Sequence, residues 1–169
     1  MIFKNFKFSK QAGFTLVETL VSLVILTVAL IPILNLSDQV TTVNANLQDN
    51  LVAAGLAQEG IEVIHAIRDT NWFNNRAFDT NLSDGVIGHT TTTNVEWNSV
   101  GLGAYLLTPL NLNNGRYTYS GGTPSKFSRA VTITKVNAGE LKVVSVVTWT
   151  GRSNSAKSIT IEDHLFDWK

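Results

Sequence analysis

Hydrophobic positions fall along the chain in three regimes. From Phe14 to Leu36 they are almost continuous: Phe14-Thr15-Leu16-Val17-Glu18 opens an apolar run that continues through Leu34, with Glu18 as its one charge. At a rise of about 1.5 Å per residue, these 23 residues make a rod of roughly 35 Å, enough to cross a hydrocarbon core of about 30 Å. The first regime therefore predicts a transmembrane helix segment over residues 14–36. In the second, Ser37 to Asp69, apolar residues recur every three or four positions without a proline, so an amphipathic helix continuing the span is expected to about residue 70. Val40, Val43, Leu47, Leu51, Ala54 and Ile61 form one stripe on it; Val52, Leu56, Val63 and Ile67 form another. A helix with two apolar faces needs two partners: its own domain and neighbouring chains, or two layers of its own domain.

In the third regime, from Val86, the period is two. Thr90 to Trp97 and Arg116 to Ser120 are candidate strands, and three clearer ones follow at Phe127 to Val136, Leu141 to Thr150 and Lys157 to Leu165. Asn137-Ala138-Gly139 and Gly151-Arg152-Ser153-Asn154-Ser155 have turn composition, so these strands are expected to pair as an antiparallel meander. Val131 and Ile133, then Leu141, Val143, Val147 and Trp149, then Ile159 and Ile161 share faces that need an apolar cover, which the helix supplies. A polar loop beginning at Asp69 and the Pro109-bearing, Asn/Gly-rich stretch Gly101 to Gly122 are expected at the surface. The predicted fold class is α+β: a long N-terminal helix, membrane-spanning in its first half, packed on a C-terminal antiparallel sheet within 71–169.

Charge gives the span an orientation. Lys4, Lys7 and Lys10 precede it without an acid, and no Lys or Arg follows until Arg68. By the positive-inside rule the N-terminus stays in the cytoplasm and everything after Leu36 crosses the membrane. The small residues Ala12-Gly13 lie before the apolar run, whereas an ordinary secretory signal carries its cleavage site after it. A lone carboxylate within a span costs about 2.5 to 3.5 kcal/mol on insertion scales, so Glu18 calls for a function and a positive partner. Pro32 removes the hydrogen bond its amide would give to Val28 and predicts a kink or a locally melted turn, either a hinge or an ordinary bend near the membrane exit.

Lys10-Gln11-Ala12-Gly13-Phe14-Thr15-Leu16-Val17-Glu18 resembles the leader and start of the type IV pilins and of the pseudopilins of type II secretion and DNA-uptake systems. The resemblance implies a basic leader, 1–13, that a membrane-embedded prepilin peptidase/methyltransferase removes between Gly13 and Phe14, N-methylating Phe14. Glu18 is then the fifth residue of the mature chain. It further implies other pilin or pseudopilin subunits, an inner-membrane assembly platform and membrane lipid as partners, and a cell-surface or periplasmic filament as destination. The order of leader, long helix, loop and sheet is similar to that family too. The closing Val146-Val147-Thr148-Trp149 and Asp163-His164-Leu165-Phe166-Asp167-Trp168 look more like small minor pilins and the I-type pseudopilin than like major pilins.

Composition narrows the rest. Thirteen basic and thirteen acidic residues balance, and without the three leader lysines the chain carries ten against thirteen, a net −3. No Lys/Arg cluster lies outside the leader, so no nucleic acid is implied. With no Cys, disulfides and thiolate metal sites are excluded, and the disulfide-closed loop of many pilins is not carried over. Short length, the missing disulfide loop and the C-terminal resemblance favour a minor subunit.

No catalytic constellation is found. There is no Gly-x-Ser-x-Gly elbow or phosphate loop, and Gly101-Leu102-Gly103 lacks the third glycine of a dinucleotide fingerprint. Asp79 to Gly85 fails as a calcium loop, because its glycine comes one position late and Thr90 stands where a bidentate acid is needed. His65, His89 and His164 lack ligand-like spacing, and Glu59 and Glu62, one helical turn apart, read as solvated. No metal, cofactor or enzymatic activity is assigned. Trp72, Trp97, Trp149 and Trp168 suit either core packing or a glycan surface. A second reading stays open: a secreted or surface-anchored binding module released by ordinary signal peptidase after Val43-Asn44-Ala45, which leaves Glu18 unexplained.

Overall fold

The computed structural model describes residues 13, 15–96, 99, 101, 103, 105, 108–152 and 154–168. Lys4, Lys7, Lys10 and Trp97 lie outside them, as does Phe14. The chain divides into two compact units, Met1–Val43 and Asn44–Lys169.

One helix, α1 (Leu16–Phe73), contributes to both units. It starts at Thr15, whose Oγ1 accepts a hydrogen bond from the Glu18 amide at 3.3 Å, the side-chain half of a Thr-x-x-Glu capping box. Residues on both sides of Pro32 stay helical, so no turn is melted there. The helix ends at Phe73, about three residues later than expected from the polar composition from Asp69 onward. Asn75 adopts a left-handed φ of 52°, the Arg76 amide reaches back to the Asn71 carbonyl at 2.8 Å, and the Asn75 amide to that of Trp72 at 3.1 Å. This is a Schellman stop with asparagine in place of glycine. The buried Asn71 also donates from Nδ2 to the carbonyls of Phe78 and Thr80, so a residue read as the opening of a loop is a pin that folds the loop back on the helix.

In the second unit, β1 (Thr90–Thr93), β5 (Phe127–Asn137), β6 (Glu140–Thr150) and β7 (Ala156–Phe166) form an antiparallel sheet in the order β1-β5-β6-β7. The meander expected for the last three strands is present, with Val131 opposite Ser145 and Ser145 opposite Ile161. The first candidate strand is shorter than its sequence suggests, ending at Thr93. The stretch Gly101 to Gly122 is not simply surface loop. β2 (Asn111–Asn113) pairs with β3 (Arg116–Thr118) and β4 (Thr123–Pro124) in a second small sheet, and Leu110 beside it is fully buried. Strands of two or three residues centred on Asn-Leu-Asn and Thr-Pro carry no run of alternation long enough to be read from sequence.

The core lies between α1 and the larger sheet, in two clusters. Ala53, Leu56 and Ala57 meet Phe127, Val147 and Trp149; nearer the helix C-terminus, Ile64 and Ile67 meet Ile133, Leu141 and Leu165. Phe78, Leu82 and Val95 cover this second cluster from the loop side. The stripe Val52, Leu56, Val63 and Ile67 thus faces the sheet. The other stripe divides: Val40, Val43, Leu47 and Leu51 are exposed, whereas Ile61 joins the core, because from there on the helix is covered by both the sheet and the loop.

Helix and sheet approach closely at Gly60. A Cβ on that residue would stand 2.6 Å from Ser145 Oγ and 3.0 Å from Val131 Cγ2. Gly55, by contrast, has open space around it. One glycine is required by packing and the other is merely tolerated.

Candidate functional site

The residues that sequence reading singles out lie at the start of α1. Gly13 is exposed, and among the described residues nothing stands within 4 Å of where its Cβ would be. Phe14, the other side of the expected cut, lies outside the described residues. Glu18 occupies the first turn, where the free amides and the dipole of a helix N-terminus favour a carboxylate by about 0.3 to 1 kcal/mol. That gain does not cancel the cost of a charge in hydrocarbon, and the carboxylate has no partner among the described residues.

The other hydroxyls of this stretch are quieter. Thr19 and Thr27 donate to the carbonyls of Leu16 and Val24, at 2.8 and 2.9 Å, and so keep their polarity within the helix. Every described residue of the span is exposed, and its most apolar 18-residue window has a mean hydropathy of 2.4, long and apolar enough to cross a membrane. A rod with an apolar surface and one carboxyl group near its N-terminal end suits a lipid or helix-lined environment in which that group is given a polar partner.

The candidates in the second unit are not brought together. His65 donates from Nε2 to Asp163 Oδ2 at 2.5 Å, which leaves Nδ1 to accept from Arg68 at 3.5 Å. His89 pairs with Asp84, and His164 with Glu140 at 2.7 Å and Glu162 at 3.4 Å. Each histidine thus has its own carboxylate partners, and among the described residues no group of three His, Asp or Glu is arranged to hold a metal. Asp79, the first residue of the rejected calcium loop, is taken up by Lys135 at 2.5 Å. Glu59 stands 3.5 Å from Arg129 while Glu62 is exposed, so the two carboxylates have different surroundings.

Hydrogen bonds decide four of the five shifted ionisations, and burial the fifth. The bond to Glu140 raises His164, against a smaller effect of burial. The bond from Lys142 lowers Glu162. At Asp163 burial opposes ionisation, yet the bonds from His65 and the His164 amide hold the carboxyl below its usual range. Val86's amide lowers Asp84, and burial raises Tyr119.

Sequence reading missed Arg129. It sits on the core face of β5, donates from Nη1 to the Leu56 carbonyl at 2.9 Å and from Nη2 to that of Val95, and ties α1, the sheet and the loop after β1 together. The one available signal was a lone arginine at an inward position of an alternating strand.

Residues 8–34 match the family model of the prokaryotic N-terminal methylation motif, the signature of type IV pilins and pseudopilins. No curated protein and no solved structure matches the chain. The motif supports a processed subunit similar to pilins or pseudopilins, and the long apolar helix packed on an antiparallel sheet is a pilin-like arrangement.

Proposed function

We propose that the protein is a minor subunit of a type IV pilus or pseudopilus, held in the inner membrane by residues 14–36 and then drawn into a helical filament whose core is built from such spans. The observation that carries this reading is the methylation motif at 8–34 running directly into a helix whose first half is wholly exposed. Residues 1–13 are the leader, with the N-terminus in the cytoplasm; residues 37–70 continue the helix, and 71–169 complete the globular domain. Prepilin peptidase cuts between Gly13 and Phe14, and Phe14 is methylated. Pro32, which leaves the Val28 carbonyl without its helical partner, is where the span bends. The protein is structural and catalyses nothing itself.

Glu18 directs assembly. Cleavage creates an α-amino group, near pKa 8 in water, and methylation keeps it basic. Among packed spans that charge requires an opposite one, since breaking a buried pair costs about 3 to 5 kcal/mol. The carboxylate one turn into the helix supplies it to the neighbouring subunit's terminus, which also sets axial register. Glu18→Leu is therefore expected to be cleaved, inserted and folded normally but absent from sheared filaments, with Glu18→Asp partly impaired. Normal incorporation of the Leu variant would remove Glu18 from assembly.

A further inference from the structure

Among the described residues, four asparagines adopt a left-handed backbone: Asn75, Asn81, Asn114 and Asn154, with φ of 52°, 62°, 49° and 55°. Three of them are followed by a side chain, that of Arg76, Leu82 or Ser155. Asn114 is followed by glycine, and Gly115 is left-handed as well, with φ of 79°. These two residues form the whole turn between β2 and β3, where Asn113 stands opposite Arg116. Two left-handed residues in a two-residue hairpin make a type I′ turn, for which Asn-Gly is a preferred sequence.

What suits the turn also opens it to chemistry. Both residues are exposed, and beyond the chain neighbours nothing described stands within 4 Å of where a Gly115 Cβ would be. The Gly115 nitrogen is therefore shielded neither by packing nor by a side chain of its own. No hydrogen bond from a described residue holds the Asn114 side-chain amide. For that amide and that nitrogen to meet, the Asn114 backbone must rotate. In β5 or β6 such a rotation would break a long ladder, whereas here it opens a hairpin of three residue pairs, Asn111 with Thr118, Leu112 with Tyr117 and Asn113 with Arg116. Short, exposed elements open locally at small cost. The other three asparagines lack the following glycine, and Asn75 and Asn154 are also tied by their own amides to the Trp72 and Gly151 carbonyls.

We propose that Asn114 is a site of spontaneous deamidation. The Gly115 nitrogen gives its proton to a base and attacks Asn114 Cγ. A new N–Cγ bond closes a five-membered succinimide, the Cγ–Nδ2 bond breaks, and Nδ2 leaves as ammonia. Water then opens the ring at either carbonyl, giving aspartate or isoaspartate. Either product adds a carboxylate beside a cavity of about 390 Å³ lined by Glu59, Gly115, Arg116 and Tyr117. Isoaspartate also inserts a methylene into the main chain and so displaces Asn113 from its place opposite Arg116. The buried Leu110 is held independently, by its amide on the Phe127 carbonyl at 2.7 Å and its carbonyl on the Ser125 amide at 2.8 Å, so the core outlasts the change.

The test incubates the full chain in detergent micelles at neutral and at mildly alkaline pH. Peptide mapping with electron-transfer fragmentation, which separates aspartate from isoaspartate, follows each asparagine over time. Asn114 is expected to convert at least tenfold faster than Asn75, Asn81 or Asn154, to both products, and faster at the higher pH because the attacking nitrogen must lose a proton. Gly115→Asn keeps a residue that tolerates the left-handed backbone but places a side chain beside the nitrogen, so conversion at Asn114 should slow at least tenfold. The proposal is overturned if Asn114 in the full chain stays an amide, if the other three asparagines match its rate, or if Gly115→Asn or the change of pH leaves that rate unchanged.

Discussion

The two halves of α1 are made from similar residues and put to opposite uses. Up to Leu36 the helix is apolar around almost its whole circumference, and every described residue as far as Val43 is exposed. From Asn44 it is only partly apolar, yet Ala53, Ala57, Gly60 and Ile64 are among its buried residues. The difference is side-chain size on one face. Alanine and glycine bring the second half against Ser145 and Val131, so its core is made within the chain. The first half is lined with Leu, Ile and Val and has no such counterpart, so its burial must come from lipid or from other helices. The two exposed leucines beyond it, Leu47 and Leu51, extend the surface that awaits a partner into the domain.

The broadest test of this contrast separates the halves. Without residues 1–36, the chain from Ser37 should be a soluble, folded monomer with a mixed helix and strand spectrum and cooperative thermal unfolding. A fragment that needs detergent would mean that the second half does not complete its own core.

A finer test uses the two glycines. Gly60→Ala gains about 1 kcal/mol of helix propensity but meets Ser145 and Val131, a crowding that costs about 1 to 3 kcal/mol, so a net loss of about 1 kcal/mol is expected. Gly55→Ala meets nothing and should stabilise by up to about 1 kcal/mol. Ser145 Oγ is buried without a hydrogen bond, so Ser145→Ala should be nearly neutral alone and recover part of the Gly60→Ala loss. Thermal unfolding of the wild type, the three single variants and the double variant decides it, and equal effects at Gly55 and Gly60 would contradict the close approach.

The smallest expected effect is at the strand ends far from Asn44. His164 is raised in the folded state by Glu140, so its contribution is complete below its unfolded value, near pH 6.5, and fades as pH rises through the folded one. Glu162, lowered by Lys142, contributes above its own unfolded value and loses this as pH falls through the folded one. NMR titration should place His164 above 6.5, and Glu140→Gln should bring it down.

Much of this was legible because it rests on long patterns. The span, the continuing helix and the meander each repeat a period over ten or more residues, and the faces of Val131, Ile133, Leu141, Val143, Val147 and Trp149 follow from alternation alone. The motif from Lys10 to Glu18 was legible through its resemblance to the pilin leader and start, helped by the oddity of a lone carboxylate in an apolar run. What escaped was local or long-range. The asparagine stop at Asn75 depends on backbone conformation, the small sheet around Leu112 on strands too short to alternate, and the Arg129 tie on three segments distant in sequence. The contact of Trp72 with Trp168 joins residues far apart in sequence, and only the fold brings them together.

The central claim is that the chain is cut and modified at Gly13-Phe14 before it acts. Intact-mass and N-terminal tandem mass spectrometry of the protein, purified from membranes of cells that contain prepilin peptidase, tests this directly. The account predicts a chain beginning at Phe14 and carrying one N-methyl group. An intact Met1 terminus would mean a plain anchor, and a start at Asn46 would mean a secreted module; either result contradicts the account.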